Sequence, residues 1–303
     1  MTDSPHASTH RDLVVIGFDG SESAQRALSF AIAEARTRKA ELRIVTGYVL
    51  QTPDVGFGTA LPWDQNLVDA IREEAEQQVT DVVAATQAAN PDLTVTGTSQ
   101  PGPGAAVVLE EAQDATLIVV GSHGNEGFFG LLLGGVPRQI ATHSRQPTIV
   151  VRPREADATG HVLVGIDGSP DSVRALGFAF DHASRHNLAL TVVHTWEVPP
   201  IGAITGVPSP EPPTLLQNIA DNELRASSEE LAGYSERYPD VPVDISVVQG
   251  SPVKVLAEKS SDADLLVVGS RGRGGFLGLL LGSVSHGVLH HAHCPVAVVR
   301  GEK

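Results

Sequence analysis

The 303 residues exceed one typical domain core, so the length predicts two domains of about 150 residues each. A formal net charge of −15, from 36 acidic and 21 basic residues, disfavours a protein that coats nucleic acid, because the chain as a whole repels phosphates. The single cysteine, Cys294, excludes an intrachain disulfide and fits a reducing, cytoplasmic compartment.

The N-terminal residues 1–11 are polar, and we expect them to form a disordered tail. They contain no apolar stretch of secretory type, and no run in the chain approaches the roughly 18 apolar residues of a membrane-spanning helix. Together with the charge, this pattern predicts neither a membrane nor a nucleic-acid partner.

The first domain, predicted over 12–152, alternates short apolar runs with helical periodicity. Its first run, Leu13-Val-Val-Ile16, is continuously apolar, as a strand covered on both faces must be. Ser21 then stands where a helix N-cap is needed, before an apolar stripe that includes Ala24 and Leu28. Further strands are predicted at 42–49, 93–98, 116–120 and 148–151.

A second copy of this unit is predicted over 161–303, after a linker at 153–160. Setting each residue against the one 148 positions later aligns Gly17-Phe-Asp-Gly-Ser21 with Gly165-Ile-Asp-Gly-Ser169 without a gap. About half of the positions in 115–151 are identical to those in 263–299, which indicates an internal duplication. The strands of the second copy are predicted at 162–166, 188–196, 243–248, 264–268 and 296–299.

Repeated strand-helix-strand units with buried strands predict an α/β, Rossmann-like fold. We expect two tandem doubly wound, five-stranded parallel sheets with the strand order 3-2-1-4-5, packed as a pseudo-symmetric pair. In such sheets, ligands bind outside the carboxyl ends of the strands, where the strand order reverses. Two Pro- and Gly-rich stretches on that edge, 51–65 and 198–213, are read either as lids over a ligand or as variable surface loops.

A glycine-rich stretch follows the fourth strand of the second half. Gly269 and Gly272 allow the backbone to approach a ligand closely. A helix then opens with free N–H groups and hydroxyl donors, a combination that favours a phosphate, and its first residues are Gly282, Ser283, Val284 and Ser285.

The first half has an equivalent glycine stretch, and each half places one carboxylate beside it. The glycines of the first stretch are Gly121, Gly124, Gly134 and Gly135. Asp19 and Asp167 end the first strand of their halves, near the same crevices. We therefore predict a phosphate site in each half and prefer this interpretation to glycines that serve only as turns.

These motifs together resemble the ATP-binding branch of the universal stress protein family, in its tandem two-domain form. The resemblance rests on Gly-x2-Gly-x9-Gly-Ser after the fourth strand, on Asp-Gly-Ser after the first strand and on Cys-Pro-Val at the last strand. It covers nearly the whole chain outside the tail and the linker. It implies an adenine-nucleotide α-hydrolase-like fold, ATP with Mg²⁺ as ligand, pairing of the domains through the last strand, and further association into a homodimer.

The resemblance also implies roles for individual residues. Asp19 and Asp167 would contact the nucleoside or its metal, and Gly47 and Thr195 would meet the adenine through backbone groups. Against the ribose would lie Gly121 and Gly269. The phosphates would be held by Gly124, Gly134, Gly272, Gly282 and Ser283.

The first half departs from this pattern at two positions. Gly135 and Pro137 stand where Ser283 and Ser285 stand in the second half, so a hydroxyl donor is missing at each position, and the proline also removes an N–H. We expect weaker nucleotide binding in the first half, by about 1–3 kcal/mol.

Other chemical signals in the sequence are weaker. The cluster of His286, His290, His291, His293 and Cys294 has metal-ligand chemistry, but the first half does not repeat it, and no metal ligand is assigned. No kinase-type P-loop occurs, no Ser-His-Asp arrangement can be assigned, and Arg271 and Arg273 are either phosphate contacts or solvated.

The predicted function is that of a cytoplasmic ATP-binding regulator in stress response, with a regulatory protein partner and at most slow hydrolysis. Two alternatives stay open. One is an ATP-consuming enzyme of pyrophosphatase or ligase type. The segment Asp167-Gly-Ser-Pro-Asp-Ser172 faintly resembles the Ser-Gly-Gly-x-Asp-Ser loop of ATP pyrophosphatases. The other is an interaction module with vestigial nucleotide sites.

Overall fold

A computed structural model of the chain describes residues 12–49, 65–124, 133–154, 159–197, 222, 231–274 and 280–301. The predicted tail and the middle of the predicted linker lie outside these ranges. Among the described residues, no helix combines the length and the apolar character that crossing a bilayer requires.

The strands of the first half are β1 (Leu13–Gly17), β2 (Glu41–Tyr48), β3 (Val95–Pro101), β4 (Leu117–Gly121) and β5 (Thr148–Val151). Its helices are α1 (Glu22–Arg38), α2 (Gln65–Ala89), α3 (Gly104–Glu111) and α4 (Gly135–His143). The strands of the second half are β6 (His161–Ile166), β7 (Ala189–Trp196), β8 (Val243–Gln249), β9 (Leu265–Gly269) and β10 (Val296–Val299). Its helices are α5 (Pro170–His186), α6 (Pro252–Lys259) and α7 (Ser283–His291), and residues 231–237 are also helical.

The described strands form one ten-stranded sheet in the order β3-β2-β1-β4-β5-β10-β9-β6-β7-β8. Each half therefore has the predicted order 3-2-1-4-5, with parallel pairing throughout. The halves join through their last strands, because β5 and β10 pair antiparallel with Ile149 opposite Ala297. The join makes the two predicted sheets continuous and places a pseudo-twofold axis between β5 and β10.

Both faces of the sheet are buried, which explains the continuously apolar strand sequences. Val14 and Ile16 of β1 face a core formed with α1 and α5, whereas Leu13 and Val15 face the opposite core. That second core includes side chains of α3, α4, α6 and α7. Each half thus has the helix-sheet-helix layering of a doubly wound fold.

The helices that follow the first strand of each half begin at the predicted caps. The Ser21 Oγ accepts a hydrogen bond from the Ala24 N–H at 3.1 Å, and the Ser169 Oγ accepts one from the Ser172 N–H at 3.2 Å. Pro170 occupies the first turn of α5, where its missing N–H costs nothing. These caps fix where α1 and α5 start, and therefore where the carboxyl edge of the sheet opens.

Two equivalent arginines hold the halves together beside the β5–β10 join. Arg152 donates hydrogen bonds to the carbonyls of Leu289 at 2.5 Å and His290 at 3.1 Å, in the last turn of α7. Arg300, its counterpart in the duplication, donates to the carbonyl of Thr142 in the last turn of α4. Each cation thus lies at the negative end of a helix that belongs to the other half.

Candidate functional site

Each half has a cavity at the carboxyl edge of the sheet, between its first and fourth strands. The cavity of the first half measures about 600 Å³, and that of the second half measures about 570 Å³. Both lie where the strand order reverses, which is where ligands bind in doubly wound sheets. Their volumes fall within the range of small-molecule sites.

The cavities bring together all of the predicted site residues. The first is lined by Asp19, Gly47, Gly121, Gly124, Gly134 and Gly135. The second is lined by Asp167, Thr195, Gly269, Gly272, Gly282, Ser283, Val284 and Ser285. Placement does not assign a role, so the implied contacts with a nucleotide stay predictions.

Asp167 is held inside the second cavity by backbone groups. Its Oδ1 accepts a hydrogen bond from the Ser169 N–H at 3.0 Å, and its Oδ2 accepts one from the Arg273 N–H at 2.9 Å. Burial alone would raise the pKa of Asp167, but hydrogen bonds from Ser169, Arg273 and Ser172 outweigh it and lower the pKa below its ordinary value. The group is therefore a carboxylate at neutral pH, suited to electrostatic contact and weak as a general base.

Three of the predicted site glycines are required by contacts within the protein. A Cβ on Gly272 would lie 2.3 Å from the Asp167 Oδ2, and a Cβ on Gly124 would lie 2.5 Å from the Asp19 Oδ2. A Cβ on Gly269 would lie 2.8 Å from the backbone carbon of Asp171 at the start of α5. Close packing thus accounts for these glycines without a ligand, so it is the helix that follows them, and not the glycines, that indicates a phosphate site.

The glycine stretch of the second half ends at the N-terminus of α7, which opens into the cavity. The Gly282 N–H donates to the Ser270 carbonyl at 2.8 Å and fixes the start of the helix against the end of β9. Ser283, at the first helical position, is exposed and lines the cavity. The first N–H groups of a helix have no intrahelical partner, so those of Ser283, Val284 and Ser285 are available to an anion.

Ser285 differs from Ser283 in what its hydroxyl does. The Ser285 side chain is buried. Its Oγ donates within the loop, since the Ser270 carbonyl lies 2.9 Å away and the Gly282 carbonyl lies 3.0 Å away. Its hydroxyl hydrogen is therefore used within the loop. The prediction that both serines offer a hydroxyl donor is therefore wrong for Ser285, whose hydroxyl is committed to the loop, whereas the exposed Ser283 hydroxyl lies at the cavity.

The first half presents fewer donors to its cavity. The Gly134 N–H donates to the Ser122 carbonyl at 2.8 Å, as its counterpart does in the second half. Helix α4 then begins with Gly135, Val136 and Pro137. The Ser283 hydroxyl has no counterpart here, and Pro137 has no N–H, so the first cavity has fewer donors, as the sequence predicts.

Sequence reasoning gave no structural role to Asp171, which is buried beneath the second cavity. Its Oδ2 accepts hydrogen bonds from the Ser270 Oγ at 2.7 Å and the Arg271 N–H at 3.1 Å, and its Oδ1 accepts one from the Gly301 N–H at 3.0 Å. The carboxylate is used to hold the loop that follows β9. It is the acid that gave the segment its resemblance to pyrophosphatases, and its position disfavours that alternative.

Other cavity residues were not predicted because they come from the third crossover of each half. Pro252 and Leu256 of α6 line the second cavity, and Gly104 and Val108 of α3 line the first. A Cβ on Gly47 would lie 2.7 Å from the Gly104 Cα, which explains that glycine by packing. The duplication was the signal in the sequence that could have found them, because Gly104 is equivalent to Pro252 and Val108 is equivalent to Leu256.

The structure describes the two loop arginines of the second half, but it does not describe the predicted lids. Arg271 and Arg273 both line the second cavity, and the Arg273 guanidinium lies over Gly168. Whether they contact phosphate stays a prediction. The predicted lids at 51–65 and 198–213 lie outside the described residues, apart from Gln65 at the start of α2.

The histidine cluster near the C-terminus does not form a metal site with the cysteine. The Cys294 side chain is fully buried, its thiol donates to the Pro295 carbonyl at 3.3 Å, and burial raises its pKa to about 12. A metal requires the thiolate, which this environment disfavours. The His286 and His290 rings of α7 are tilted by 59° to each other, with their centroids 4.7 Å apart.

Comparison with known proteins agrees with this architecture. The model of the universal stress protein family matches residues 10–152 and 159–300, and the predicted domain limits themselves stay a prediction. Universal stress protein Rv2623 of Mycobacterium tuberculosis is 33% identical over 302 residues, covering 95% of this chain and 96% of the relative. Universal stress protein Rv2005c of the same organism is 36% identical over 297 residues, with the same coverage.

A solved structure has the same fold over nearly the full length. The universal stress protein from Archaeoglobus fulgidus superposes with a TM-score of 0.69 at 21% identity, covering 96% of this chain and 99% of that chain. The duplicated motifs, the ten-stranded sheet and the family matches over both halves lead to one conclusion. The chain belongs to the universal stress protein family and contains the family's unit twice in tandem.

Proposed function

We propose that this chain is a regulator that binds ATP with Mg²⁺ at the two carboxyl-edge cavities, more tightly in the second half. The observation that carries the proposal is the N-terminus of α7, where Ser283 and three successive backbone N–H groups face a cavity that also holds the Asp167 carboxylate. A helix N-terminus with a hydroxyl donor suits a phosphate, and the carboxylate suits the metal or the nucleoside.

The residues of the second cavity fit such a ligand from end to end. Val193, Leu256 and Val268 supply apolar walls beside Thr195, where we place the adenine. Gly269 would lie against the ribose, and Gly272, Gly282 and Ser283 would contact the phosphates. Asp167 accepts two backbone hydrogen bonds, and a carboxylate has about four acceptor positions, so it can also accept from a hydroxyl or from a metal-bound water.

The two carboxylates near the second cavity favour a regulatory role over rapid turnover, because neither is suited to act as a general base. The lowered pKa of Asp167 makes it a poor general base, and Asp171 is committed to the loop after β9. We propose that bound nucleotide shifts the conformation of a cytoplasmic homodimer or its choice of a regulatory protein partner. Slow hydrolysis is compatible with this role, and a fast ATP-consuming enzyme is the alternative.

The test compares nucleotide binding with turnover on the full chain. We expect Mg²⁺ and ATP together to raise the melting temperature, because a ligand that binds only the folded state stabilises it. We also expect phosphate or pyrophosphate release well below about 1 per second, the low end of typical enzymes. Turnover above that rate would favour the enzyme, whereas melting that ATP leaves unchanged would favour an interaction module.

A further inference from the structure

The two halves meet at a buried cluster of a carboxylate and two imidazoles, away from both cavities. Glu34 of α1 is 1% exposed, and His182 of α5 is 3% exposed. The Glu34 Oε1 lies 3.4 Å from the His182 Nδ1 and 2.8 Å from the half-buried His186 Nε2. Both helices start at a cavity, and Glu34 lies thirteen residues beyond Ser21, so the cluster is about 20 Å along the helix from the first cavity.

Neither of these ring nitrogens forms a hydrogen bond within the described part of the chain, although both are buried. The His186 Nε2 lies within hydrogen-bond distance of the Glu34 Oε1 and the His182 Nδ1 lies farther from it, so a protonated imidazole would form an ion pair there, but neither contact has the geometry of an N–H···O hydrogen bond. A buried imidazole nitrogen without a partner carries a substantial free-energy cost. Two such nitrogens that converge on one carboxylate oxygen have the arrangement of ligands that share one ion.

The duplication explains how the cluster is assembled. Glu34 and His182 occupy equivalent positions in α1 and α5, and so do Arg38 and His186, each pair 148 residues apart. The pseudo-twofold axis brings these positions face to face across the junction of the halves. The two copies have diverged there, so that one helix contributes a carboxylate and the other contributes two histidines spaced i, i+4 on one face.

We propose that Glu34, His182 and His186 form a binding site for a divalent transition-metal ion of the zinc class, which links the two halves. Two imidazole nitrogens and one carboxylate oxygen, all within 4.8 Å of one another, are a set of three protein ligands that suits zinc. A fourth position is left for water, and the partial exposure of His186 provides a route for the ion.

The two separations from the carboxylate oxygen require little rearrangement, and the two histidine nitrogens lie within 4.8 Å of each other. Metal–ligand bonds of 2.0–2.1 Å in a tetrahedral site place neighbouring ligand atoms about 3.3 Å apart. The separation of the Glu34 Oε1 from the His182 Nδ1 already matches, and the shorter separation from the His186 Nε2 needs to lengthen by about 0.5 Å.

The outer contacts of the cluster orient the carboxylate. The Arg38 Nε donates to the Glu34 Oε2 at 2.8 Å and leaves the Oε1 for the metal. The positive charge of Arg38 is offset by Asp181, whose Oδ2 lies 3.5 Å from the Arg38 Nη1 and also accepts from the Arg185 Nε at 2.8 Å. Ligating carboxylates are commonly held in this way by a second hydrogen bond.

The test uses Co²⁺ as a coloured substitute for zinc on the full chain, after treatment with a chelator and without nucleotide. We expect one Co²⁺ per chain to bind with the visible absorption of a tetrahedral site, and Zn²⁺ to displace it. Glu34→Gln and His186→Gln should each weaken binding by at least about 100-fold, the upper end of what the loss of an outer-shell partner costs. The double variant His286→Gln/His290→Gln, which removes the histidine pair of α7, should bind as the parent does.

Melting provides a second readout that does not require the Glu34→Gln variant to fold. Zinc should raise the melting temperature of the parent and of the α7 double variant, and should leave that of His186→Gln unchanged. Absence of the tetrahedral absorption together with an unchanged melting temperature in the parent would overturn the proposal. Binding that survives His186→Gln and disappears in the α7 double variant would also overturn it, because the metal would then be bound by α7.

Discussion

Exchanging the residue at the first position of the two cavity helices tests what that hydroxyl contributes. Ser283→Gly removes the hydroxyl donor of the second cavity, and Gly135→Ser adds one to the first. A hydrogen bond to a charged group contributes about 1.5–3 kcal/mol, so Ser283→Gly should weaken ATP binding in the second half by about 10- to 150-fold.

The structure indicates that both exchanges leave the fold intact. Ser283 is exposed, and the N-cap of α7 is Gly282, which offers no side-chain hydrogen bond. A Cβ on Gly135 meets no described atom within 4 Å, so a serine fits there without strain. The unfolding free energy should change by less than about 0.5 kcal/mol in either variant.

Calorimetric titration of the full chain with ATP in excess Mg²⁺ measures both effects. Gly135→Ser should strengthen binding in the first half, yet not to the level of the second half, because Pro137 still lacks an N–H. If Ser283→Gly left the tighter site unchanged while the variant stayed folded, the assignment of the phosphates to the N-terminus of α7 would be refuted.

Three further predictions concern packing and burial. Gly272→Ala should displace the Asp167 carboxylate and lower the unfolding free energy by about 1.5–3 kcal/mol, the value of one hydrogen bond to a charged group. Gly274→Ala, with no described atom within 4 Å of its Cβ, should change it by less than about 0.5 kcal/mol, and equal values for the two variants from urea denaturation would contradict this. Burial raises the pKa of Cys294 to about 12, so this thiol should resist a thiol reagent at pH 8 until the chain unfolds. The stability that it contributes should be complete below its unfolded pKa of about 8.5 and should be lost as the pH rises towards 12. A labelling rate in the native protein equal to that in the denatured protein would disprove the burial. Arg152→Met should lower the unfolding free energy by about 1.5–3 kcal/mol, because it removes the donors to the last carbonyls of α7, and a change below about 0.5 kcal/mol would show that this link between the halves contributes little.

The sequence allowed the buried strands and the edge that holds both cavities to be predicted, because these depend on local pattern. The strand order 3-2-1-4-5 joins segments that are far apart in the chain, and it was predicted from the fold class. Continuously apolar runs such as Leu13–Ile16 identify strands buried on both faces, and Ser21 and Ser169 mark the helix starts that follow them. Because the two halves are offset by 148 residues, a feature predicted in one half can be checked at the equivalent position of the other half.

The roles of the glycines were harder to predict, since a glycine looks the same whether a ligand or the protein itself comes close. Gly269 and Gly272 pack against the backbone of α5 and the Asp167 carboxylate, contacts that link residues about 100 positions apart. Replacing Gly269 with alanine would therefore disturb the fold as well as any nucleotide site. Ser283→Gly is the cleaner change.

The buried cluster between the halves was missed for a related reason. Periodicity identifies the apolar stripe of α1, but Glu34 lies beside that stripe and is polar, so the pattern indicates an exposed residue. Its burial depends on α5 lying across the pseudo-twofold axis. The useful signal was that the duplication makes Glu34 equivalent to His182, which places the two side chains at the same level of facing helices.

The most direct test of the central claim is the nucleotide that the protein retains. The full chain is purified without added nucleotide and denatured, and the released adenine nucleotide is identified and counted beside the Ser283→Gly variant. We predict close to one ATP per chain from the parent, from the tighter second half, and much less from the variant. No nucleotide from the parent, together with melting that added ATP leaves unchanged, would contradict the claim that these cavities bind ATP.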